Sequence, residues 1–487
     1  MAQILEASQM NNLKNITERE GLYVVLAFLG ISVLWYISVM LWQPTVGIMV
    51  DTDPYRPVMW VISLAALSVP FFMYLFSHHF RTLETDRKVL LFGLALLSST
   101  IVHRLRCFID TQFVFFLTTI VYFILDRNRT YRRPLWEYWI VPLYIVWNLI
   151  TLAWTPDLHY GKKFAGNFLP MVTYPAMFLA FTLSVDERNE IMKLYWRIAL
   201  MAVLLSFLSC IYEVTVIRHQ VSELFHLQIT MFKDNIFIDG VEQFPFNMLY
   251  AWNGMGHPSF NAIWAVAAAV TGFFLVKHCV ISWVEFFFGE FVILLLQFIA
   301  QSRIGIVMVL IVFVLSTFYL LWQHRKVVYS LIAVGLLLVV AAFMLRPDFL
   351  YPYMNDVERN RLWNAAFDFI RIYPFTGTGL GGTMHEYVSS VIGYPWPGLC
   401  FDNIYAHNQF IGDWMQSGLV GFIFAVSMVI LTFVMSIRRR SYSAFVFSVA
   451  ILLLMLIEMP LRFLQGSTLI PFFLCLFLHK TPLPDNR

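Results

Sequence analysis

The sequence predicts an all-α integral membrane protein that crosses the bilayer many times. Three observations carry that expectation. Hydrophobic residues fill 59% of the 487 positions and charged residues only 13%, about half the roughly 25% of a soluble domain. The apolar residues also come in blocks, such as 21–41, 304–322 and 327–345, that are nearly free of charge. A spanning helix needs about 20 residues of this kind. Finally, lysines and arginines cluster between the blocks, as in Arg127/Arg129/Arg132/Arg133 and Arg438–Arg440. Lipid offers no partner for backbone N–H and C=O groups, so the spans are expected as helices.

Fourteen candidate spans follow: 22–42, 58–77, 89–103, 109–125, 137–154, 168–185, 196–217, 259–277, 281–300, 304–322, 327–345, 409–437, 444–458 and 463–478. The third and thirteenth are short, so the expectation is about 12–14 transmembrane helices in a single polytopic domain over 1–487. The densest Lys/Arg clusters fall on one side of this arrangement, and that side is assigned to the cytoplasm. Both termini then lie in the cytoplasm. Two large outer loops result, 218–258 and 346–408, against short cytoplasmic ones. Long loops rich in aromatic, Gly and His residues commonly carry function.

Composition excludes several classes. The net charge of +3 comes with no polybasic tail, which argues against nucleic acid as a partner. The five cysteines, Cys107, Cys210, Cys279, Cys400 and Cys475, are widely spaced and form no CxxC, so neither a disulfide framework nor a zinc site is expected. The acids of the second outer loop, among them Asp356, Glu358, Asp368 and Glu386, show no ligand spacing. No metal and no cofactor is expected. The polar, acid-bearing N-terminus does not read as a cleavable signal peptide. No internal repeat of the kind that many transporters carry is visible.

The second outer loop holds the most informative pattern. Residues 360–373 read as a surface helix with Leu362, Trp363, Ala366, Phe369, Ile370 and Tyr373 on one face and Arg361, Asn364, Asp368 and Arg371 on the other. Pro374 should end it. Arg359 falls on the apolar side, where a guanidinium needs a partner. Next comes Pro374-Phe-Thr-Gly377-Thr-Gly379-Leu-Gly381-Gly382, read equally well as a tight structural turn or as a loop against a ligand. No strand precedes it, so a dinucleotide fold is not expected. The loop closes on His407-Asn408, with Gly418-x-x-Gly421 nine residues further on. Cations sit at other outer boundaries: Arg303 at a span start, His257 in Gly256-His-Pro-Ser259, and Lys162 and Lys163. Several cations at one depth suit a diphosphate at the membrane surface.

These residues resemble the O-antigen ligase and polymerase superfamily. The resemblance rests on His407-Asn408 followed by Gly418-x-x-Gly421, on Arg359-Asn-Arg-Leu-Trp363 followed by Pro374-x-x-Gly377-x-Gly379, on Ser302-Arg303, and on Gly256-His-Pro-Ser259. It covers roughly 250–425; the first four spans and the insert Tyr394–Cys400 have no counterpart. It implies a membrane glycosyltransferase of GT-C-like architecture in the bacterial inner membrane, with its active site facing the periplasm. The implied donor is a glycan on undecaprenyl diphosphate. The implied acceptor is a sugar hydroxyl, on lipid A-core for a ligase or on a lipid-linked repeat for a polymerase. The His-Asn…Gly-x-x-Gly spacing favours the ligase. By the same resemblance His407 assists the acceptor hydroxyl, and Arg303 and Arg359, with Arg361 beside them, hold the diphosphate. His257, Lys162, Lys163, Gly377, Gly379 and Asn408 are further candidate substrate contacts. A transporter of the same lipid-linked glycans is the alternative of another class, with Glu213 and Glu458 as its buried acids and Pro460 as a helix breaker.

Overall fold

The computed structural model describes residues 18–37, 65–66, 68–101, 107–125, 139–212, 237–238, 241–242, 258–299, 303–320, 357–382 and 406–479. Helices dominate them. In chain order they include α1 (Glu18–Ile37), α2 (Thr85–Thr100), α3 (Cys107–Leu125), α4 (Ile140–Ile150), α5 (Leu158–Asn167), α6 (Leu169–Ala180) and α7 (Val185–Tyr212). Then follow α8 (Pro258–Lys277), α9 (Trp283–Ile299), α10 (Arg303–Leu320), α11 (Val357–Ile372), α12 (Gln409–Arg438), α13 (Tyr442–Met455) and α14 (Leu464–Leu478). Short 3-10 turns occupy Thr151–Trp154 and Pro460–Arg462, and Phe237–Ile238 pairs antiparallel with Val241–Glu242. The span expected over 327–345 and most of the two outer loops lie outside the described residues.

Among the described helices, α1 and α12 have the length and hydropathy to cross a membrane; six shorter apolar segments accompany them. The distribution of side chains on α3 shows which solvent such helices meet. Phe113, Phe116, Leu117, Ile120 and Ile124 are exposed, while Thr111, Thr119 and Tyr122 are buried. The buried hydroxyls are satisfied: Thr119 Oγ1 donates to the Phe115 carbonyl at 2.8 Å, and Thr111 Oγ1 lies 2.7 Å from Thr100 Oγ1 on α2. A helix with hydrocarbon outward and hydroxyls inward inverts the soluble arrangement and fits a lipid surround.

The chain divides into two units. The first comprises Met1–Thr130, Phe181–Leu310 and Thr481–Arg487; the second comprises Tyr131–Ala180 and Ile311–Lys480. In the first, α2 packs on α3 and α7, and α7, α8 and α9 pack on one another. An ion-pair cluster there joins α7 to α9 and α1: Arg197 bonds Glu285 at 3.0 Å and Glu20 at 3.0 Å. In the second unit α12 is the centre, packed by α4, α11, α13 and α14, with α6 against α14.

Two expected boundaries shift. The seventh span was expected from 196, but α7 starts at Val185. The cause is a capping box: Ser184 Oγ accepts from Glu187 N at 3.2 Å while Glu187 Oε2 accepts from Ser184 N at 2.7 Å. Hydropathy is blind to such a polar start. The sixth span, expected over 168–185, ends at Ala180, and α5 precedes it. Asp157 starts α5 by accepting from Tyr160 N at 3.1 Å, so Lys162 and Lys163 stand on a helix rather than in irregular chain.

Candidate functional site

The described site residues of the second unit gather around the start of α12. Asn408 is its N-cap: the side-chain oxygen accepts from Phe410 N and Ile411 N, both at 3.0 Å. The same side chain donates from Nδ2 to the Leu456 carbonyl at 2.8 Å. Asn408 is thus buried and committed to fixing α12 against the chain that leaves α13. His407, immediately before it, sits in the left-handed region with φ 45°. A non-glycine residue held there costs about 1–3 kcal/mol and persists only where its surroundings impose it. Its side chain is 22% exposed, and Nδ1 lies 3.1 Å from Oε2 of Glu458, itself 2% exposed. Sequence reasoning named Glu458 only as a buried acid for the alternative transport reading; the structure places it at His407.

Helix α11 forms one wall of this region. Its Ala366 and Ile370 share a core with Ala406, Met415 and Met459, flanked by Leu362, Phe369 and Trp414. Trp363 Nε1 donates to the Ala406 carbonyl at 2.9 Å, so the helix is tied to the residue before His407. The amphipathic reading is recovered: Asn364, Asp368 and Arg371 are exposed, and helix α11 ends two residues before Pro374. Tyr373 differs, being 47% exposed, because it lies past the helix end. Arg359 stands one turn before Trp363, at the i, i+4 spacing that shares a face, and Arg361 stands off that face. The side chains of Arg359, Arg361 and Arg303, and all of His257, lie outside the described residues. Arg303 opens α10 in the first unit.

The glycine-rich stretch is a turn packed on backbone. Helix α12 breaks at Gly418 (φ 67°, ψ −172°), a conformation essentially confined to glycine. The break frees carbonyls of the preceding turn, and the loop supplies their donors: Thr378 N bonds the Met415 carbonyl at 3.0 Å and Gly379 N bonds the Gln416 carbonyl at 2.9 Å. Leu419 N and Trp414 Nε1 both donate to the Pro374 carbonyl at 3.0 Å. On its other side Leu380 bonds Thr151 and Thr155 at 3.1 and 2.9 Å. Gly377 has φ 65°, and a Cβ there would fall 2.5 Å from the Gln416 carbonyl carbon; at Gly379 it would fall 2.6 Å from Thr155 Cα. Gly377 and Gly379 are therefore packed against chain, and the stretch forms a tight turn. Lys162 and Lys163 are exposed on α5 nearby, where Gly161 lies close to the Leu380 carbonyl.

Beneath these elements lies a polar network that sequence reasoning missed. Asp413 is fully buried and pairs with Arg462 of the 460–462 turn. Tyr144 OH donates to the Asp413 carboxylate at 3.1 Å and Gln409 Nε2 at 3.0 Å. Ser417 joins through Asn148 at 2.6 Å and Arg462 at 3.3 Å. The segment 456–463 thus delivers Glu458 to His407 and Arg462 to Asp413, pinning the first turns of α12 twice. The available signal was charge within or beside apolar blocks, Asp413 in 409–437 and Arg462 directly before 463–478.

Fold and site together define a predominantly helical protein in which a partly exposed histidine is braced by a buried carboxylate beside a broken helix. Residues 288–426 match the family model described as O-Antigen ligase. The match spans His407 and the Gly418-x-x-Gly421 pair and supports a likeness to the O-antigen ligase superfamily over that stretch. Glu458, Arg462 and Tyr144 lie beyond the matched stretch. No curated protein matches the chain.

Proposed function

We propose that this protein is a periplasmic-face glycosyltransferase that moves a glycan from undecaprenyl diphosphate to a sugar hydroxyl, with lipid A-core as the acceptor. The carrying observation is His407, which lies within the stretch that matches O-antigen ligase, sits in a strained backbone conformation at the mouth of α12, is partly exposed, and is braced by Glu458 from beyond that stretch. In the reaction the acceptor hydroxyl gives its proton to His407 while its oxygen bonds the anomeric carbon of the donor. The bond from that carbon to the diphosphate breaks, and lipid diphosphate leaves with the electron pair. The resemblance assigns the leaving group to Arg359 and Arg303, with Arg361 beside them and His257, Lys162 and Lys163 as further candidate substrate contacts. Arginine suits the role because it stays charged and binds phosphate bidentately. The membrane lipids supply the donor, and neither metal nor cofactor takes part.

The acid that a transport path would need, Glu458, is already committed to His407, which favours transfer over transport. Glu213 lies outside the described residues. The test uses purified protein with a lipid diphosphate-linked glycan, measuring donor binding and transfer separately. His407→Ala is expected to cut turnover by about 10²–10⁴-fold, the usual contribution of a general base, with donor binding retained. Near-native transfer by that variant overturns the catalytic assignment. A glycan gel of a strain lacking the gene separates the acceptors. Lipid-linked glycan detached from core indicates a ligase, and single repeats on core indicate a polymerase.

A further inference from the structure

We infer that a cleft in the second unit holds an anionic phospholipid, with its headgroup on Arg438–Arg440 and an acyl chain between α6, α12, α13 and α14. Two observations carry the inference, and neither needs the transfer reading above. The first is the cleft itself. It encloses about 910 Å³, its open side included, within the roughly 300–1,000 Å³ usual for ligand sites. Its walls are apolar and rich in methionine, with Met171 of α6, Met428 and Met435 of α12, Met455 of α13 and Leu474 of α14 among them. Methionine chains are flexible and adapt to an irregular guest. The hydroxyls in the lining are engaged within their own helices: Thr432 Oγ1 donates to the Val429 carbonyl at 2.8 Å and Ser448 Oγ to the Ala444 carbonyl at 2.7 Å. Such walls offer a hydrocarbon chain much and a polar guest little. Leu431, Leu452 and Leu474 are only half-buried, so the cleft reaches the surface of the unit.

The second observation is the charge at one end. Arg438, Arg439 and Arg440 follow one another where α12 stops, and Ser441 caps α13 directly after them. Arg439 Nη1 donates to the Leu478 carbonyl at 2.6 Å, and Leu478 lines the cleft. The cations therefore stand at its end. Arg438 and Arg440 are exposed. Arg440 takes φ 52°, in the helix-closing position that glycine usually fills. The sequence carries no Asp or Glu from 414 to 457 or from 459 to 484, which leaves this end of the unit strongly positive. A hydrocarbon cleft ending in clustered arginines is complementary to an amphiphile with an anionic phosphate head. The thirty residues of α12 separate these cations from His407, roughly 45 Å of helical path. An occupant with its head on Arg438–Arg440 is thus a membrane phospholipid and not a glycan carrier whose diphosphate sits at His407.

The probe is a phosphatidylglycerol with a photoactivatable group at mid-chain, added to the purified full-length chain in nonionic detergent. Peptide mass spectrometry locates the label, which is expected within 428–435, 448–455 and 470–478. Unlabelled phosphatidylglycerol is expected to compete at least about tenfold better than phosphatidylcholine, since only the former has a net negative head. Arg438→Gln/Arg440→Gln removes two exposed cations and keeps the Arg439–Leu478 bond. It is expected to weaken phosphatidylglycerol binding by about 10–30-fold. Should that variant not fold, the native chain at about 1 M salt carries the test of the headgroup: labelling is expected to fall, because salt screens the arginines. Label spread over exposed apolar faces such as that of α3 overturns the inference. So does equal competition by the two lipids, or labelling that neither the arginine changes nor salt reduces. A polyprenyl diphosphate that competes better than phosphatidylglycerol also overturns it, and assigns the cleft to the glycan carrier instead.

Discussion

Asp413 and Arg462 form an ion pair in which neither side chain has more than 1% of its surface exposed. It joins the first half of α12 to the turn between α13 and α14. Two isolated charges at this depth would each carry a desolvation penalty of several kcal/mol. The carboxylate is relieved by Arg462, Tyr144 and Gln409 together, and the guanidinium also lies 5.5 Å from the Phe168 ring. The pair is best read as a device for fixing where the 458–462 segment sits.

Removing one partner strands the other. Arg462→Leu is expected to destabilise the second unit by about 3–5 kcal/mol, and Asp413→Leu by a similar amount. The double change Asp413→Leu/Arg462→Leu should recover much of that loss, since it leaves no lone buried charge. Thermal unfolding of the three variants in detergent, followed by tryptophan fluorescence, checks the order. A double variant less stable than both singles would show that the network contributes more than its charges.

Gly418 offers a sharper contrast. Its conformation is one that L-residues avoid, and a Cβ there would collide with the Phe375 carbonyl. Gly418→Ala should cost about 1–3 kcal/mol from backbone strain alone and detach the Pro374–Gly382 turn from α12. Gly166, on α5, has nothing within 4 Å of its Cβ position. Gly166→Ala is expected to be stability-neutral or slightly stabilising, because alanine favours helix. Equal behaviour of the two variants in a thermal-shift assay would contradict the assigned break in α12.

The sequence made local features legible and long-range ones not. The polar and apolar sides of α11, its end before Pro374, and the placing of His407-Asn408 at a helix mouth follow from periodicity and capping chemistry within a few residues. The partner of His407 is 51 residues away, on the far side of another helix, and no spacing rule connects them. Tyr144 and Asp413 are 269 residues apart and meet only because α4 packs on α12. The glycine stretch looked the same for a turn as for a ligand loop, because both need φ > 0. The backbone that faces each glycine comes from residues distant in sequence, so the packing of the turn was not legible.

An acid-side stability change is expected in the first unit. Burial alone would raise the Glu187 carboxyl. The Arg87 hydrogen bond, the Ser184 backbone N–H and the Arg87 charge outweigh it and hold Glu187 below the ordinary carboxylate value. A depressed carboxyl contributes stability that is fully present above its unfolded value, about 4.3, and that is lost as pH falls through the folded value. The native protein should therefore lose stability below about pH 5 more steeply than Glu187→Gln. The two thermal midpoints should converge as pH drops, with the native chain higher near neutrality. Parallel curves across pH 3–7 would show that the Arg87–Glu187 contact does not set the folded carboxyl.

The last prediction ranks two arginines on α11. Trp363 is fixed to the Ala406 carbonyl at 2.9 Å, so the face carrying Trp363 is the one turned to the His407 region. Arg359 is four residues before Trp363 and shares that face; Arg361 is two residues before it and lies roughly 200° round the helix, at 3.6 residues per turn. A diphosphate bound beside His407 should meet Arg359. Lysine keeps the charge but cannot reproduce the planar two-donor fork. Loss of one hydrogen bond to a charged group is worth about 1.5–3 kcal/mol, and each 1.4 kcal/mol is about tenfold. Arg359→Lys is thus expected to weaken donor binding by about 10–100-fold, and Arg361→Lys by no more than about twofold, since position 361 lies off that face of the helix. Titration of a lipid diphosphate-linked glycan into each purified variant gives the ranking. The reverse order would mean that Arg361 is the phosphate ligand and that α11 presents its other face to the donor.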